Sequence, residues 1–401
     1  MKDITNEEET KSIRKHFRDQ DPVFYPGDVL HEKKQEKIQQ LLRDRDLEAL
    51  LLLRTETIRY VTDFYTKGFG PFMDFEYLAV VPRGEKPILG YLSGSDRYRS
   101  RLQTLITDVR RLPSVHDWGS VIEEILVDYD IEGHVGTDIL PFFLYDDVQE
   151  RCPGVEFVDA NDIWQDLTAV KTDEEIQLVE EATSIAEIGL QAAIDAVEPG
   201  IKEIEITAAA EEAMRSEGSE FTPFVSDIVS GKNTAVFSRV PSKKRVRNGD
   251  LVVMDLGAVH KGYTGEFART VVAGEPSDKQ REIYQVVHES LQTCLDAIES
   301  GATCHEVDQA ARQVIRDAGY ERYEHTRGTG HQLGYGLHGE PLIGEGIHET
   351  LEPGMIVNVE PRIAMFDNPS VGAVQLEDTV LITEDGTERL TRTEYDSTLL
   401  E

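Results

Sequence analysis

Five side chains with the chemistry of metal ligands stand in or beside segments that are otherwise typical of a buried core. They are four carboxylates and one imidazole, namely Asp255, Glu266, His331, Glu360 and Glu377. The first two belong to the segment MDLGAVHKGYTGEFART, and the others to GTGHQLGYGLHGEP, VNVEPR and QLEDT. Because burying a bare charge is prohibitive, a carboxylate in such a place must be paired, neutralised or bound to a metal. Five such groups from separate elements predict a shared cation site.

Each of these residues also has a plainer interpretation when it is taken alone. An aspartate at a strand end often caps a turn, a glutamate can lie on the polar face of a strand, and a histidine among glycines is commonly a hydrogen-bonded loop residue. Asp255 and Glu266 are eleven residues apart, on either side of a turn that we expect to be built on Gly257 and Gly262. A hairpin of that length would bring both carboxylates to one face of neighbouring strands.

The first half of the chain alternates between helical and strand patterns. A helix is predicted from His31 and a buried strand near Ala49 to Leu53. Further strands are expected in FEYLAVVP, KPILGYL and HVGTDI, with a helix near Val121 to Tyr129. This alternation predicts an α/β domain with a mixed sheet. We therefore divide the chain into an acidic N-terminal arm (1–30), an N-terminal α/β domain (31–165) and a catalytic domain (166–401), with residues 152–169 forming the exit from the α/β domain.

The second half repeats one plan of helices followed by strands. Thr172 and Glu175 form a capping box at the start of the first helix. Strong strand patterns follow in DLVVMDLGAV and FARTVVAG, and then the order recurs, with a helix that begins after Ser277 and strands in MIVNVEP and GAVQLEDTVLIT. Helices, strands, helices and strands in that order predict two similar halves around one sheet, and hence an α+β fold.

The overall charge limits the classes of partner. Acidic residues outnumber basic ones 76 to 41, which gives a formal net charge of −35. An acidic surface of this kind argues against nucleic acid or an anionic membrane as a partner. We interpret it as adaptation to high salt, which screens most of the self-repulsion. The three cysteines have no metal-ligand spacing, and MKDITNEEETK has no apolar core for a signal peptide, so we expect a cytoplasmic protein.

From about Lys171 onward the chain resembles the pita-bread metallopeptidases, which include methionine aminopeptidases, proline-specific peptidases and creatinase-like enzymes. The segments that carry the resemblance are AVKTDEEI, NGDLVVMDLGA, GTGH with His338 seven residues later, VEP and LEDTVLIT. Residues 31 to 165, with IRYVTDF, resemble the smaller N-terminal domain of the proline dipeptidase and creatinase branch. The resemblance implies a C-terminal pita-bread domain, a homodimer, and a small peptide or small molecule as the substrate.

The resemblance also implies a role for each candidate residue. Asp255 matches an aspartate that chelates one metal ion, and Glu266 and Glu377 stand where the family has two bridging carboxylates. His331 and Glu360 match ligands of a second ion, and Glu360 would also act as the general base. His338 matches a histidine that contacts the substrate and stabilises the tetrahedral intermediate. The implied cofactors are two divalent ions, of manganese, cobalt, iron or zinc.

Four positions depart from the family pattern. Glu266 is one methylene longer than the usual aspartate, and Ser238 stands where the peptidases place a histidine near the scissile bond. Serine can still bind substrate through a hydrogen bond, but it cannot act as an imidazole does near neutral pH. Gln375 replaces an arginine before the last ligand, and Gly339 replaces an acid after the second histidine. The metal ligands are thus in place, while the substrate preference is open.

Three functions from different classes are therefore considered. The first is cleavage of Xaa-Pro dipeptides by a metal-activated water. The second keeps the fold but acts on a small solute, as creatinase-like, ectoine-hydrolase-like and sulfonium-lyase-like relatives do, and the loss of the histidine at Ser238 favours it. The third is a non-catalytic relative that binds a partner. The five ligand-type residues argue against the third, because an idle site need not retain buried charges.

Overall fold

A computed structural model describes residues 27–65, 76–113, 117–236, 239–324 and 328–401. The chain divides into two compact units, Met1–Leu167 and Thr168–Glu401. Most of the expected acidic arm lies outside the described residues. The first described helix begins at Asp28, three residues before the predicted start of the N-terminal domain, and an acidic residue is favourable at that end of a helix. Within these described ranges no helix is both long and apolar enough to cross a bilayer.

The first unit is built on a six-stranded mixed sheet of order β4-β3-β2-β1-β5-β6. Its strands are β1 Ala49–Leu52, β2 Tyr77–Pro82, β3 Ile88–Tyr91, β4 Val109–Arg111, β5 Gly133–Thr137 and β6 Val155–Asp159. Its helices are α1 Asp28–Asp44, α2 Thr55–Thr62, α3 Gly94–Gln103, α4 Trp118–Asp128, α5 Phe142–Arg151 and α6 Asn161–Ala169, the last of which reaches the second unit. Antiparallel and parallel pairs coexist, which confirms the predicted mixed sheet.

The segment predicted as an exit from the first domain is part of its sheet. Strand β6 pairs in parallel with β5 along its whole length and forms one edge of the sheet. The boundary between the two units, after Leu167, lies within the predicted exit of residues 152–169, but residues 155–159 belong to the sheet. The strand was not recognised because an edge strand is only partly covered. Its exposed positions gave VEFVD too weak an apolar pattern to stand out beside the fully buried strands.

A buried charged cluster joins α1 to the end of α2. Asp63 ends α2 in the left-handed conformation, with φ of 56°. Its carboxylate accepts hydrogen bonds from Lys34 Nζ and His31 Nδ1, and the side chains of Lys34 and Asp63 are each only 1% exposed. The Lys34 ammonium also lies 5.0 Å from the centre of the Tyr60 ring. Because Asp63 neutralises a buried cation, it should be important for the stability of this unit.

The second unit contains two helix pairs, each followed by strands, as the sequence predicts. The helices are α7 Asp173–Ala196, α8 Glu203–Ser216, α9 Asp278–Ala297, α10 Cys304–Asp317 and the short α11 Ser397–Leu400. The predicted capping box of Thr172 and Glu175 is present at the start of α7, and Ser277 caps α9. Helix α7 lies so close to a strand that a Cβ atom on Gly265 would be 2.1 Å from the backbone nitrogen of Thr183.

The strands of the second unit form three sheets in place of the single sheet that we expected. Their orders are β7-β8-β9, β11-β10-β12-β15-β16 and β13-β14. The strands are β7 Asp227–Ser230, β8 Asp250–His260, β9 Tyr263–Ala273, β10 Gly330–Gly334, β11 Gly336–Ile343, β12 Ile356–Val359, β13 Arg362–Ala364, β14 Ala373–Gln375, β15 Asp378–Thr383 and β16 Gly386–Arg389.

Polar contacts connect β9 to the five-stranded sheet. The carbonyl of Glu266 accepts hydrogen bonds from Thr379 Oγ1 at 2.8 Å and Asn358 Nδ2 at 3.3 Å, and the Glu377 N–H donates to Ala268 at 3.0 Å. Strand β9 thus contacts this sheet through isolated hydrogen bonds, most of them from side chains, and not through a regular backbone ladder. Carboxylate side chains from both sheets gather at this junction.

Candidate metal centre

The β8–β9 hairpin presents Asp255 and Glu266 on one face. Asp255 lies opposite Ala268, and Gly257 lies opposite Glu266. Because residues two apart on a strand share a face, and so do directly opposed residues, the two carboxylates are diagonal neighbours. The predicted hairpin is therefore present, but Gly257 lies inside β8 and not in the turn. The turn is Lys261-Gly262, where both residues have positive φ, as two-residue hairpins favour.

The other three ligand-type residues come from the five-stranded sheet and its ends. His331 lies on β10, which pairs with β11 on one side and β12 on the other. Glu360 follows directly after β12, and Glu377 lies between β14 and β15. Glu266, His331 and Glu377 are buried, whereas 16% of the Asp255 side chain and 22% of the Glu360 side chain are exposed. The partly exposed pair therefore marks the accessible side.

Glu266 belongs to two groups whose ligand atoms could share a cation. Carboxylate oxygens of Asp255, Glu266 and Glu377 all lie within 4.8 Å of one another. Ligand atoms of Glu266, His331 and His338 satisfy the same limit. Glu360 is in neither group, but its Oε1 lies 3.9 Å from His331 Nε2. The structure thus brings together the five predicted metal ligands, which we call the candidate centre, and places His338, the predicted substrate contact, at its rim.

Hydrogen bonds hold individual atoms of the candidate centre in place. His331 Nδ1 lies 3.1 Å from the carbonyl of Gln332, so Nδ1 donates and Nε2 keeps its lone pair towards the carboxylates. Asn358 Nδ2 donates to Glu377 Oε1 at 2.7 Å. Gln375 Nε2 donates to Asp255 Oδ2 at 3.0 Å and to Glu360 Oε2 at 3.2 Å. Hydrogen bonds of this kind to ligating side chains orient them around a metal.

Three further oxygens are left for a cation. Asp255 Oδ1, Glu266 Oε2 and Glu377 Oε2 are buried and accept no hydrogen bond from the protein. They come from the three carboxylates that already lie within 4.8 Å of one another. Buried polar atoms are almost always satisfied, so three unsatisfied oxygens at one point call for a ligand. The residues present therefore fit a divalent ion, and their oxygen-rich, nitrogen-poor donor set suits Mn²⁺, Co²⁺, Fe²⁺ or Zn²⁺.

The electrostatics agree with this fit. Burial, and then the neighbouring carboxylates, raise the pKa values of Glu266 and Glu377 well above their usual range. Burial also raises the pKa of Asp255, although the charge of Arg239 opposes the shift. Without a cation these carboxylates repel one another in a poorly solvated place. A divalent ion would remove that cost, and metal binding should release protons.

A cavity of about 440 Å³ opens onto the candidate centre. Apolar side chains line part of its wall, namely Phe224, Val225, Val240, Leu337 and Leu342. His338 is exposed, and its ring centre lies 4.5 Å from that of His331. Its position fits the substrate contact that the resemblance implies. Ser238, the other expected substrate contact, lies outside the described residues.

Sequence reasoning missed three charged residues that line the same cavity. Asp227 lies opposite Asp255 in the β7–β8 pair, and burial raises its pKa to about 6. Arg239 donates from Nε to Asp227 Oδ2 at 2.8 Å. Burial, and then the charge of Arg239, lower the pKa of Arg362 to about 9. A signal for Asp227 was available, because an acidic residue begins a strand there, but nothing local distinguished either arginine.

The fold and this centre together define a metal-dependent hydrolase. The chain belongs to metallopeptidase family M24, whose family model matches residues 177–384. The creatinase/prolidase N-terminal domain matches residues 34–170. These matches confirm the resemblance to the pita-bread peptidases and the expected α+β architecture.

Named relatives come from the proline dipeptidase branch. An Xaa-Pro dipeptidase of Pyrococcus furiosus is 39% identical over 273 residues, which are 68% of this chain and 77% of the relative. The crystal structure of the prolidase from Pyrococcus horikoshii superposes with a TM-score of 0.79 at 30% identity, covering 90% of this chain and 99% of that one. An Xaa-Pro dipeptidase from Bacillus anthracis gives a TM-score of 0.81 at 26% identity, with coverages of 91% and 99%.

Proposed function

We propose that this protein hydrolyses Xaa-Pro dipeptides with two divalent ions bound at the candidate centre. The observation that carries the proposal is that Glu266 belongs to both groups of ligand atoms, beside a cavity of about 440 Å³. A shared carboxylate between two groups is the arrangement that a two-metal hydrolase needs. The names of the relatives supply the substrate class.

Each residue of the candidate centre then has a role. Asp255 would hold one ion, His331 and Glu360 the other, and Glu266 with Glu377 would contribute to both. When bound, such ions lower the pKa of a water molecule and polarise the scissile carbonyl. Glu360 lines the cavity, where its carboxylate would accept a proton from the attacking water.

The cavity wall also supports a dipeptide with a proline ring. The apolar side chains Phe224, Val225 and Leu342 provide surface for an uncharged ring, while the carboxylates face the scissile bond. His338 is exposed at the rim and can donate a hydrogen bond to the oxygen on which charge develops. Pockets of this kind, mostly apolar with a few placed polar groups, are typical of small-molecule sites.

Ser238→His tests the preference between dipeptides and other small molecules. If the enzyme is a dipeptidase, the imidazole should preserve or raise turnover of an Xaa-Pro dipeptide, since help with hydrogen bonding or proton transfer is typically worth about 10²-fold. If the natural substrate is a small solute such as creatine or ectoine, the change should block its turnover and confer little on dipeptides. Steady-state rates on both substrate classes, for wild type and variant, decide between the two. A wild type without dipeptide activity, unimproved by the histidine, would refute the dipeptidase proposal.

Glu266→Asp tests the bridging position. The shorter side chain restores the residue that the family usually has, so we expect the variant to keep its metal ions and most of its activity. Metal content by mass spectrometry, together with dipeptide turnover, measures both. Loss of one ion per chain would instead show that the position of Glu266, opposite Gly257, requires the longer side chain.

We also propose a homodimer that works at high salt. An apolar surface on the first unit supports the homodimer. It contains Phe142, which is 81% exposed, and Phe143, which is 50% exposed, next to Ile139 and Tyr145. Exposed apolar patches commonly mark protein interfaces. The net charge of −35 supports function at high salt, because salt would have to screen the repulsion between two copies. The expected cytoplasmic location and the absence of nucleic-acid partners stay predictions.

A further inference from the structure

Arg239 is a buried cation placed next to the candidate centre. Only 3% of its side chain is exposed. Nε donates to Asp227 Oδ2 at 2.8 Å, and Nη2 donates to Gln375 Oε1 at 2.8 Å. Nη2 also lies 4.0 Å from Asp255 Oδ2, which is too long for a good hydrogen bond. The guanidinium therefore touches Gln375 directly and reaches the candidate ligands mainly through it.

The bond from Arg239 determines which way the Gln375 carboxamide points. A guanidinium can only donate, so Oε1 must be the atom that faces Arg239. The amide nitrogen is then turned towards two carboxylates, Asp255 and Glu360, which as ions can only accept. With the carboxamide reversed, its oxygen would face both carboxylates and its N–H groups would face a cation. That arrangement has no favourable contact.

Gln375 donates to one oxygen of each carboxylate. It occupies Asp255 Oδ2 and Glu360 Oε2. Asp255 Oδ1 has no partner, and Glu360 Oε1 lies 3.9 Å from His331 Nε2. The two carboxylates come from different sheets, so no backbone ladder sets their separation. One carboxamide spans both, and it has the geometry to set that separation.

We infer that Arg239 is a positioning residue of the metal centre, which acts by fixing the Gln375 carboxamide that holds Asp255 and Glu360. The inference rests on the proposed ligand roles of those two carboxylates and is independent of the substrate. Removing either member of the Arg239–Gln375 pair removes the fixed carboxamide that donates to both carboxylates. Loss of a hydrogen bond that orients a metal ligand typically changes metal affinity by about 10- to 100-fold.

A double-mutant cycle on metal affinity tests the inference. Metal-free wild type, Arg239→Met, Gln375→Met and the double variant are titrated with Mn²⁺ by calorimetry in molar salt. We expect each single change to weaken Mn²⁺ binding by about 10- to 100-fold. We expect the double variant to bind Mn²⁺ about as tightly as the single variant with the lower affinity, because the arginine acts through the glutamine. Arg239→Lys, which keeps a donor for Gln375 Oε1, should recover most of the affinity.

A matched control removes a different cation from the same unit. Lys244 is ion-paired with Asp250 at 2.7 Å, so Lys244→Met also deletes one positive charge. It should leave the Mn²⁺ affinity unchanged. Circular dichroism and thermal unfolding check that each variant folds. If Arg239→Met does not fold, the Mn²⁺ affinity of Gln375→Met is compared with that of the double variant Arg239→Lys/Gln375→Met. The lysine should then have no further effect on the affinity.

Two outcomes would overturn the inference. Full Mn²⁺ affinity in Arg239→Met would show that the arginine does not position the ligands. Losses that multiply in the double variant would show that Arg239 acts independently of Gln375. A wild type that binds no divalent ion at all is a different result, because it refutes the proposed metal centre itself.

Discussion

Replacing Glu377 by Gln is expected to reduce dipeptide turnover by about 10²- to 10³-fold, the scale seen when a preorganised charge-stabilising group is removed. The change keeps the shape of the side chain but removes one of the two carboxylate charges, those of Glu266 and Glu377, that would contribute to both ions. Glu377 is 1% exposed, so water cannot replace the lost ligand easily. Turnover of an Xaa-Pro dipeptide and bound metal, measured on the same preparation, should fall together.

The same variant, although less active, should be more stable than wild type when no metal is bound. Burial, and then the other carboxylates of the centre, raise the pKa of Glu377 well above its usual value. Between the pKa of Glu377 in the unfolded chain and its higher pKa in the fold, the metal-free fold holds a proton that the unfolded chain has released. The contribution of Glu377 to stability therefore falls as the pH rises through this range. Glu377→Gln removes this loss and should be more stable than wild type near pH 8 without metal.

Denaturant unfolding at several pH values, with and without Mn²⁺, measures this reversal. Without metal the variant should be the more stable protein, and with saturating Mn²⁺ the wild type should be, because ligand binding stabilises only the fold that binds it. Glu388→Gln, at an exposed position in the same unit, is the control and should show neither effect. A variant that is less stable than wild type at pH 8 in both conditions would mean that protein contacts of Glu377, such as the bond from Asn358, outweigh the repulsion among the carboxylates.

Asp63→Asn should destabilise the first unit by about 3–5 kcal/mol, the usual cost of breaking a buried ion pair by removing one partner. Burial opposes ionisation of Asp63, but Lys34 and His31 outweigh it and hold the pKa of the carboxyl below its usual value. Its stabilising contribution is therefore present above the pKa of the unfolded chain, and it is lost as the pH falls through the lowered value. The variant leaves the Lys34 ammonium buried without a counter-ion.

A surface ion pair in the same unit provides the comparison. Asp162 is 58% exposed and pairs with Arg45 at 2.8 Å, so Asp162→Asn should cost at most about 1 kcal/mol. Equilibrium unfolding at fixed salt and neutral pH, followed by a probe in the first unit, compares the two variants. Equal losses in the two would show that Lys34 is neutralised by something other than Asp63.

The sequence was sufficient to predict the parts of the fold and centre that depend on local pattern. Alternation and the turn glycine Gly262 predicted the hairpin that pairs Asp255 with Glu266, and Thr172 predicted the start of α7. The resemblance to the peptidase family supported His331, Glu360 and Glu377, which lie on or next to other strands. No local pattern could have brought these five together, because their contacts join segments far apart in the chain.

The parts that were not predicted depend on long-range geometry. Arg239 and Gln375 are 136 residues apart, and their bond exists only because the loop after β7 lies against β14. The sequence indicates that Gln375 replaces an arginine of the family pattern. Its hydrogen bonds to Asp255 and Glu360 are visible only in the three-dimensional structure. The single expected sheet is divided because side chains such as Asn358 and Thr379, and not a continuous ladder, connect β9 to its neighbours.

The most direct test of the proposed function is hydrolysis of an Xaa-Pro dipeptide by protein that has been stripped of metal and reloaded. Leu-Pro and Leu-Ala are offered in molar salt, with Mn²⁺, Co²⁺ or Zn²⁺ or with chelator, beside creatine and ectoine. We expect Leu-Pro to be cleaved well above Leu-Ala, with activity that requires added metal and disappears in chelator. Cleavage of neither dipeptide with any metal, or turnover of creatine or ectoine in their place, would contradict the proposal.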